Sequence, residues 1–199
     1  MRRAVLLLAV VAAICTACTS KSAGTPVPLP PGPGLSELIG KADLDPCPVT
    51  EQQPRAAKSL PDLTLPCLAN GPAVHLDGLR GKPTVLNIWG SWCGPCQTET
   101  RYLSQVYDEM KGSVRFIGVD TEDDPKSALD FAPHVTPPMR YPQVEDESKK
   151  LLIALNLPSA VPTTIFVDGA GRIVKVSPGP YRSAAALRAD IKRYLGVAA

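Results

Sequence analysis

The chain has 199 residues, with 21 Lys and Arg set against 19 Asp and Glu for a formal net charge of +2. That length suits one domain with a leader and a linker, and the near-even charge offers no basic stripe, which argues against a nucleic-acid-binding protein. Six cysteines and 22 prolines are the compositional signals that remain.

At the N-terminus, Met1-Arg2-Arg3 is a short cationic segment, followed by an uninterrupted apolar or small run from Ala4 to Ala17. At about 14 residues the run is shorter than the roughly 20 that span a bilayer as a helix, so it reads as a signal-peptide core. Ile14-Cys15-Thr16-Ala17-Cys18-Thr19-Ser20 resembles a bacterial lipobox, which makes Cys18 the lipidated residue and the mature N-terminus. Cys15 stands where Leu, Val or Ile is usual, so an uncleaved signal-anchor and a freely secreted form stay open beside the lipoprotein. Each alternative exports the domain to a compartment where disulfides persist. The chain then divides into a leader, 1–18, a proline-rich linker with a disulfide-clipped extension, 19–58, and a folded domain, 59–195. Thr25 to Gly34 is too proline-rich for a core. Extended at roughly 3 Å per residue, it would hold a domain about 30 Å from a membrane surface.

Cys15 and Cys18 belong to the leader and Cys93 with Cys96 to a Cys-x-x-Cys, which leaves Cys47 and Cys67. In an exported chain that leftover pair is expected to form a structural disulfide closing a loop of about 20 residues, worth about 3 kcal/mol. A second redox pair is the alternative, and it lacks an activating helix. Leu63 to Leu65, the Asn70-Gly71 turn signal and Val74 to Leu76 read as a short hairpin. His75 falls in it as a surface strand residue.

Thr84-Val85-Leu86-Asn87-Ile88-Trp89 is a buried-strand pattern, and it leads directly into Trp92-Cys93-Gly94-Pro95-Cys96. Tyr102, Leu103, Val106, Tyr107 and Met110 then recur at helical spacing. Cys93 therefore lies at a helix N-terminus, with Pro95 in the first turn where its missing N–H costs nothing. Unpaired backbone N–H groups and the helix dipole favour a thiolate there over that of a free cysteine. Cys93 is the expected attacking sulfur and Cys96 the resolving one. A structural zinc site needs about four ligands, but His75 and His134 are isolated and no second Cys/His pair has matching spacing. No metal and no cofactor beyond the redox-active disulfide are implied.

Val114 to Val119 reads as a second strand, Lys126 to Ala132 as a short helix after Asp123-Asp124-Pro125, and Tyr141 to Val144 as an edge strand. A helix from about Asp146 follows. Val161-Pro162-Thr163-Thr164 opens a hairpin turning at Gly169-Ala170-Gly171, and a last amphipathic helix begins near Ser183. The expected class is α/β, a mixed central sheet flanked by helices, with an N-terminal β-hairpin and a central helix-strand insertion.

Strand, Trp-Cys-Gly-Pro-Cys, helix, strand, a Val-Pro-Thr-Thr strand and a closing helix resemble thioredoxin. The opening Leu60-Pro61-Asp62-Leu63, the Asn87 to Cys93 approach and the inserted helix and strand are similar to the TlpA/ResA/DsbE branch of exported, membrane-tethered thiol:disulfide oxidoreductases. The resemblance runs from about Ser59 to Leu195. It implies that Val161-Pro162 is the cis-proline that presents backbone to a substrate peptide, and that Trp92 is the aromatic rim beside Cys93. It also implies that Glu99, three residues after Cys96, tunes thiol reactivity; the plainer alternative is an acid favoured by the helix dipole. Asn87 stands where cytoplasmic thioredoxins carry a buried aspartate, which leaves Glu99 as the nearest proton-handling group.

The resemblance implies reduction of disulfides in exported proteins, with apocytochrome c as the favoured substrate and a CcdA-type membrane thiol carrier as electron source. The opposite direction, an extracytoplasmic disulfide-forming oxidant, uses the same residues, and Gly94-Pro95 resembles the reducing thioredoxins. A peroxidase is disfavoured because Leu86 and Gly90 stand where peroxiredoxins carry Pro and Thr, and a copper-binding lipoprotein because the cysteine spacing is too short.

Overall fold

The computed structural model describes residues 34–54 and 57–198. The leader, Cys18 and the proline-rich run up to Pro33 lie outside the described residues. Three continuously buried strands build the centre: β3 (Thr84–Trp89), β4 (Arg115–Thr121) and β6 (Thr163–Val167) are buried almost throughout. Their side chains point to both faces, so both faces must be covered. With β5 (Gln143–Asp146) and β7 (Ile173–Pro178) they form a five-stranded sheet in the order β5-β4-β3-β6-β7. β3, β4 and β5 run parallel, and β6 and β7 are antiparallel to their neighbours.

Val85, Trp89, Phe116 and Phe166 face one core, against α2 (Gly94–Met110), α3 (Pro125–Phe131) and α5 (Ala184–Leu195). Leu86, Ile88, Ile117, Val119, Ile165 and Val167 face the other, covered by α4 (Lys150–Ala154) and the hairpin of β1 (Thr64–Leu65) and β2 (Val74–His75). Helices on both faces of this mixed sheet make the thioredoxin fold that the sequence predicts.

Two departures from the sequence reading concern boundaries. The sequence reads as linker and extension over 19–58; within it α1 (Leu35–Ala42) packs on α3, with Ala42 and Leu44 buried. The order therefore begins before residue 59. The edge strand and the helix after it also start later than predicted. Asp146 closes β5, and its two carboxylate oxygens accept the Lys150 and Leu151 N–H groups at 2.8 and 2.9 Å, so one acid both ends a strand and caps α4.

A disulfide joins Cys47 to Cys67 across 20 residues. The Cys47 N–H donates to the Asn70 carbonyl at 3.0 Å, laying the extension against the β1–β2 turn. Gly71, at φ 125°, allows this close pass, since a Cβ there would meet the Cys47 nitrogen at 2.8 Å. Cys67 in turn bridges Val144, so the clipped segment covers the exposed edge of β5.

Candidate active site

Cys93 is the N-cap of α2, in extended conformation, and its sulfur accepts the Cys96 N–H at 3.2 Å. Pro95 occupies the first turn. A disulfide closes Cys93 to Cys96. Cys96 is fully buried and Cys93 is 5% exposed, so a partner can reach only the first sulfur. Ordering comes from the end of β3, which delivers the loop, and from the apolar stripe of α2 (Leu103, Val106, Met110), which anchors the helix in the core.

The loop before Cys93 is held by the end of β4. The Ser91 N–H donates to the Asp123 carboxylate, and the Trp92 indole N–H donates to the Thr121 carbonyl at 3.2 Å. Trp92 nevertheless stays half exposed beside Cys93. Its indole lies across Gly90, where a Cβ would meet Nε1 at 2.5 Å. Trp89, by contrast, is fully buried and donates to Gln143 Oε1 at 2.9 Å. The sequence contains Asp123-Asp124-Pro125 as a helix start; Asp124 does cap α3. Nothing local distinguishes Asp123, whose partner is 32 residues away.

Val161–Pro162 is a cis peptide. Val161 packs against the cluster that contains Cys93 and Cys96, and Pro162 accepts the Gly179 N–H at 2.9 Å. The ladder between β3 and β6 begins at Thr163, so Val161 stands outside the sheet, at the cysteine end of the strand.

Glu99 is fully buried three residues after Cys96. Its carboxylate accepts Asn87 Nδ2 at 2.7 Å and the Tyr181 N–H at 2.8 Å. Burial pushes its pKa up to about 7 against the pull of these two donors, so both protonation states are accessible near neutrality. Asn87 is therefore the partner of this acid, and Tyr181 is a contact that only the tertiary structure creates. Asp120 is a second buried acid, paired in register with Trp89 and with one carboxylate oxygen unbonded. Burial, then the neighbouring Asp123, pushes it to about 9.

Among the described residues no group of His, Cys, Asp and Glu side chains is arranged to hold a metal. Cys47 and Cys67 belong to the hairpin side of the sheet and are not part of this site. A buried dithiol/disulfide couple with one reachable sulfur, an adjoining carboxyl group and a cis-proline edge can exchange two electrons with an extended chain.

The Redoxin family profile matches residues 55–191. The thiol-disulfide oxidoreductase ResA of Bacillus subtilis strain 168 is 32% identical over 111 residues, which are 55% of this chain and 60% of that protein. The ResA of Geobacillus kaustophilus strain HTA426 is 31% identical over 136 residues, 68% of this chain and 73% of that protein. The chain thus spans 60% of the length of the B. subtilis relative. Among solved structures, a DsbF homologue from Corynebacterium diphtheriae is 28% identical with a TM-score of 0.59, covering 73% of this chain and 91% of its own.

Proposed function

This chain belongs to the Redoxin family, in the TlpA/ResA/DsbE-like branch of thiol-disulfide oxidoreductases, and from that premise we propose that Cys93 and Cys96 reduce disulfides of proteins outside the cytoplasm, apocytochrome c among them. The observation that carries the reading is the closed pair at the N-terminus of α2, one sulfur reachable and the other buried, with the cis Val161–Pro162 bond at the neighbouring strand end.

In the reduced protein the Cys93 thiolate attacks one sulfur of a client disulfide. The client S–S bond breaks, one client thiolate leaves, and a mixed disulfide forms. Cys96 then loses its proton and attacks Cys93 Sγ, expelling the second client thiolate and leaving the disulfide described here. Two electrons pass to the client. Backbone N–H groups at the first turn of α2 stabilise the Cys93 thiolate. Glu99, on the same side of α2 as Cys96, takes up the resolving proton, as a carboxylate with a pKa near neutrality can. Trp92 and the Val161 backbone form the rim along which the client chain lies.

A membrane thiol carrier of the CcdA type returns the electrons, and attachment through Cys18 holds the domain at the membrane. The midpoint potential of the couple tests the direction: a value near or below about −270 mV is expected, and one near −120 mV would reverse the assignment to an oxidant. A Cys96→Ser protein expressed in cells is expected to retain cytochrome c precursors as mixed disulfides. Their absence from the captured set would sink the maturation role and leave the exchange chemistry standing. Cys18→Ala is expected to move the protein from the membrane fraction to the soluble one.

A further inference from the structure

A cavity of about 240 Å³ opens between the first turns of α2 and the loop joining β7 to α5. Pro95, inside the Cys93–Cys96 ring, forms one wall and Pro180 another, so the cavity adjoins the redox centre itself. Tyr102 and Tyr181 complete the apolar lining, with Thr98 and Arg182 also bordering it.

The polar atoms of this lining are already engaged. The Tyr181 N–H donates to Glu99 at 2.8 Å and its hydroxyl donates to Asp190 at 2.8 Å. Tyr102 Oη accepts Arg101 Nη2 at 2.7 Å, and the Arg101 guanidinium lies 4.7 Å from the Tyr102 ring centre. The Thr98 hydroxyl donates to the Gly94 carbonyl at 3.1 Å. What the walls offer a visitor is therefore ring and pyrrolidine surface, held rigid in advance. Arg182 differs. It is exposed and, among the described residues, forms no ion pair. Arg101, whose guanidinium lies against Tyr102, adds a second cation with no carboxylate partner among the described residues, and the Asp190 carboxylate is occupied by the Tyr181 hydroxyl.

We infer that this pocket selects clients: it takes a large apolar side chain beside the client's reacting cysteine, while Arg182 pairs with a carboxylate next to that side chain. The inference rests on the redox reading above and names its preferred substrate class, disulfides flanked by an apolar and an acidic residue. A basic flank would place like charges together at Arg182 and Arg101, which disfavours the encounter.

The test uses the reduced full chain and three disulfide peptides that differ only in the flanking pair, Phe-Glu, Ala-Glu and Phe-Lys. Phe-Glu is expected to exceed Ala-Glu in kcat/KM by about tenfold, an apolar-pocket effect, and Phe-Lys by about two- to fivefold, the range of an exposed ion pair. Both differences should reside in KM. Arg182→Glu should invert the Glu-over-Lys preference, and Thr98→Phe, which fills the cavity, should erase the Phe-over-Ala preference. Less than twofold discrimination by the wild-type protein, or preferences unchanged in both variants, overturns the inference. Bis(2-hydroxyethyl) disulfide, too small to reach the pocket, reports on the redox centre alone. If the wild-type protein reduces it without discriminating among peptides, only the pocket assignment fails; if that disulfide is untouched as well, the redox reading fails.

Discussion

Glu99 is held by an amide and a backbone N–H, with no cation beside it among the described residues, and the balance between burial and those two donors sets its charge. A carboxyl group that binds its proton more tightly folded than unfolded stabilises the fold below its unfolded pKa, and that contribution is lost as pH rises through the folded value. For Glu99 the window runs from 4.5 to about 7, and the loss across it is about 3 kcal/mol. Asp120 has the same sign over a wider range, from 3.8 to about 9. Oxidised wild-type protein is therefore expected to lose stability towards urea between about pH 4.5 and 7, whereas Glu99→Gln should make the decline in that interval shallower, leaving the share that Asp120 contributes there and the decline above it. An identical slope in the variant would show that Glu99 does not titrate there. Gly90 acts at the same scale. Gly90→Ala is expected to dislodge the indole of Trp92 from Thr121, read as a shift in tryptophan emission; an unchanged spectrum would mean that the close pass is not restrictive.

Among the elements, α2 does two jobs with one sequence. Its buried stripe fixes it to the sheet, and its first turn supplies the N–H groups that face Cys93. The extension that precedes the sheet is the less obvious element. Leu35, Leu38, Ile39 and Ala42 have helical spacing and pack on the same core as α2 and α3, and the Tyr107 hydroxyl donates to Asp45 just beyond. Leu44, 7% exposed, anchors this segment. Leu44→Ala is expected to cost about 2–4 kcal/mol in chemical denaturation, as for other large-to-small core changes. A cost below about 0.5 kcal/mol, the range of ordinary surface changes, would show that the extension is not part of the cooperative unit.

In the molecule as a whole the two disulfides do different work. Cys93–Cys96 closes a ring of one helical turn at a site a client can reach, whereas Cys47–Cys67 ties the extension to the hairpin and the edge of β5. Cross-linking across 20 residues restrains the unfolded chain by about 3 kcal/mol. Replacing Cys47 and Cys67 together by Ala is expected to lower stability by about that amount in urea unfolding, with the midpoint potential of the Cys93/Cys96 couple unmoved. A shifted potential would couple the clip to the redox centre. Among the described residues no helix is long and apolar enough to cross a membrane, so tethering is a question for the leader and for the Cys18→Ala fractionation.

The strands and helices, the Trp-Cys-Gly-Pro-Cys stretch and the Val-Pro-Thr-Thr strand are legible in the sequence because each is written in neighbouring residues: apolar runs, helical spacing, a proline and a pair of thiols. The helix at Leu35–Ala42 carries the same kind of signal, but a run of prolines directly precedes it and masks its helical spacing. What no local pattern could supply were contacts between distant positions. Asp123 reaches Ser91 across 32 residues, Tyr181 reaches Glu99 across 82, and the pocket beside Pro95 exists only because Pro180 and Arg182 return to α2 from another part of the chain. The sequence alone placed the paired thiols of Cys93 and Cys96 at the start of a helix, since helix ends and thiol spacing are short-range physics. Burial of the neighbouring acid, and with it its proton affinity, was decided by tertiary packing, because desolvation depends on everything that surrounds a group.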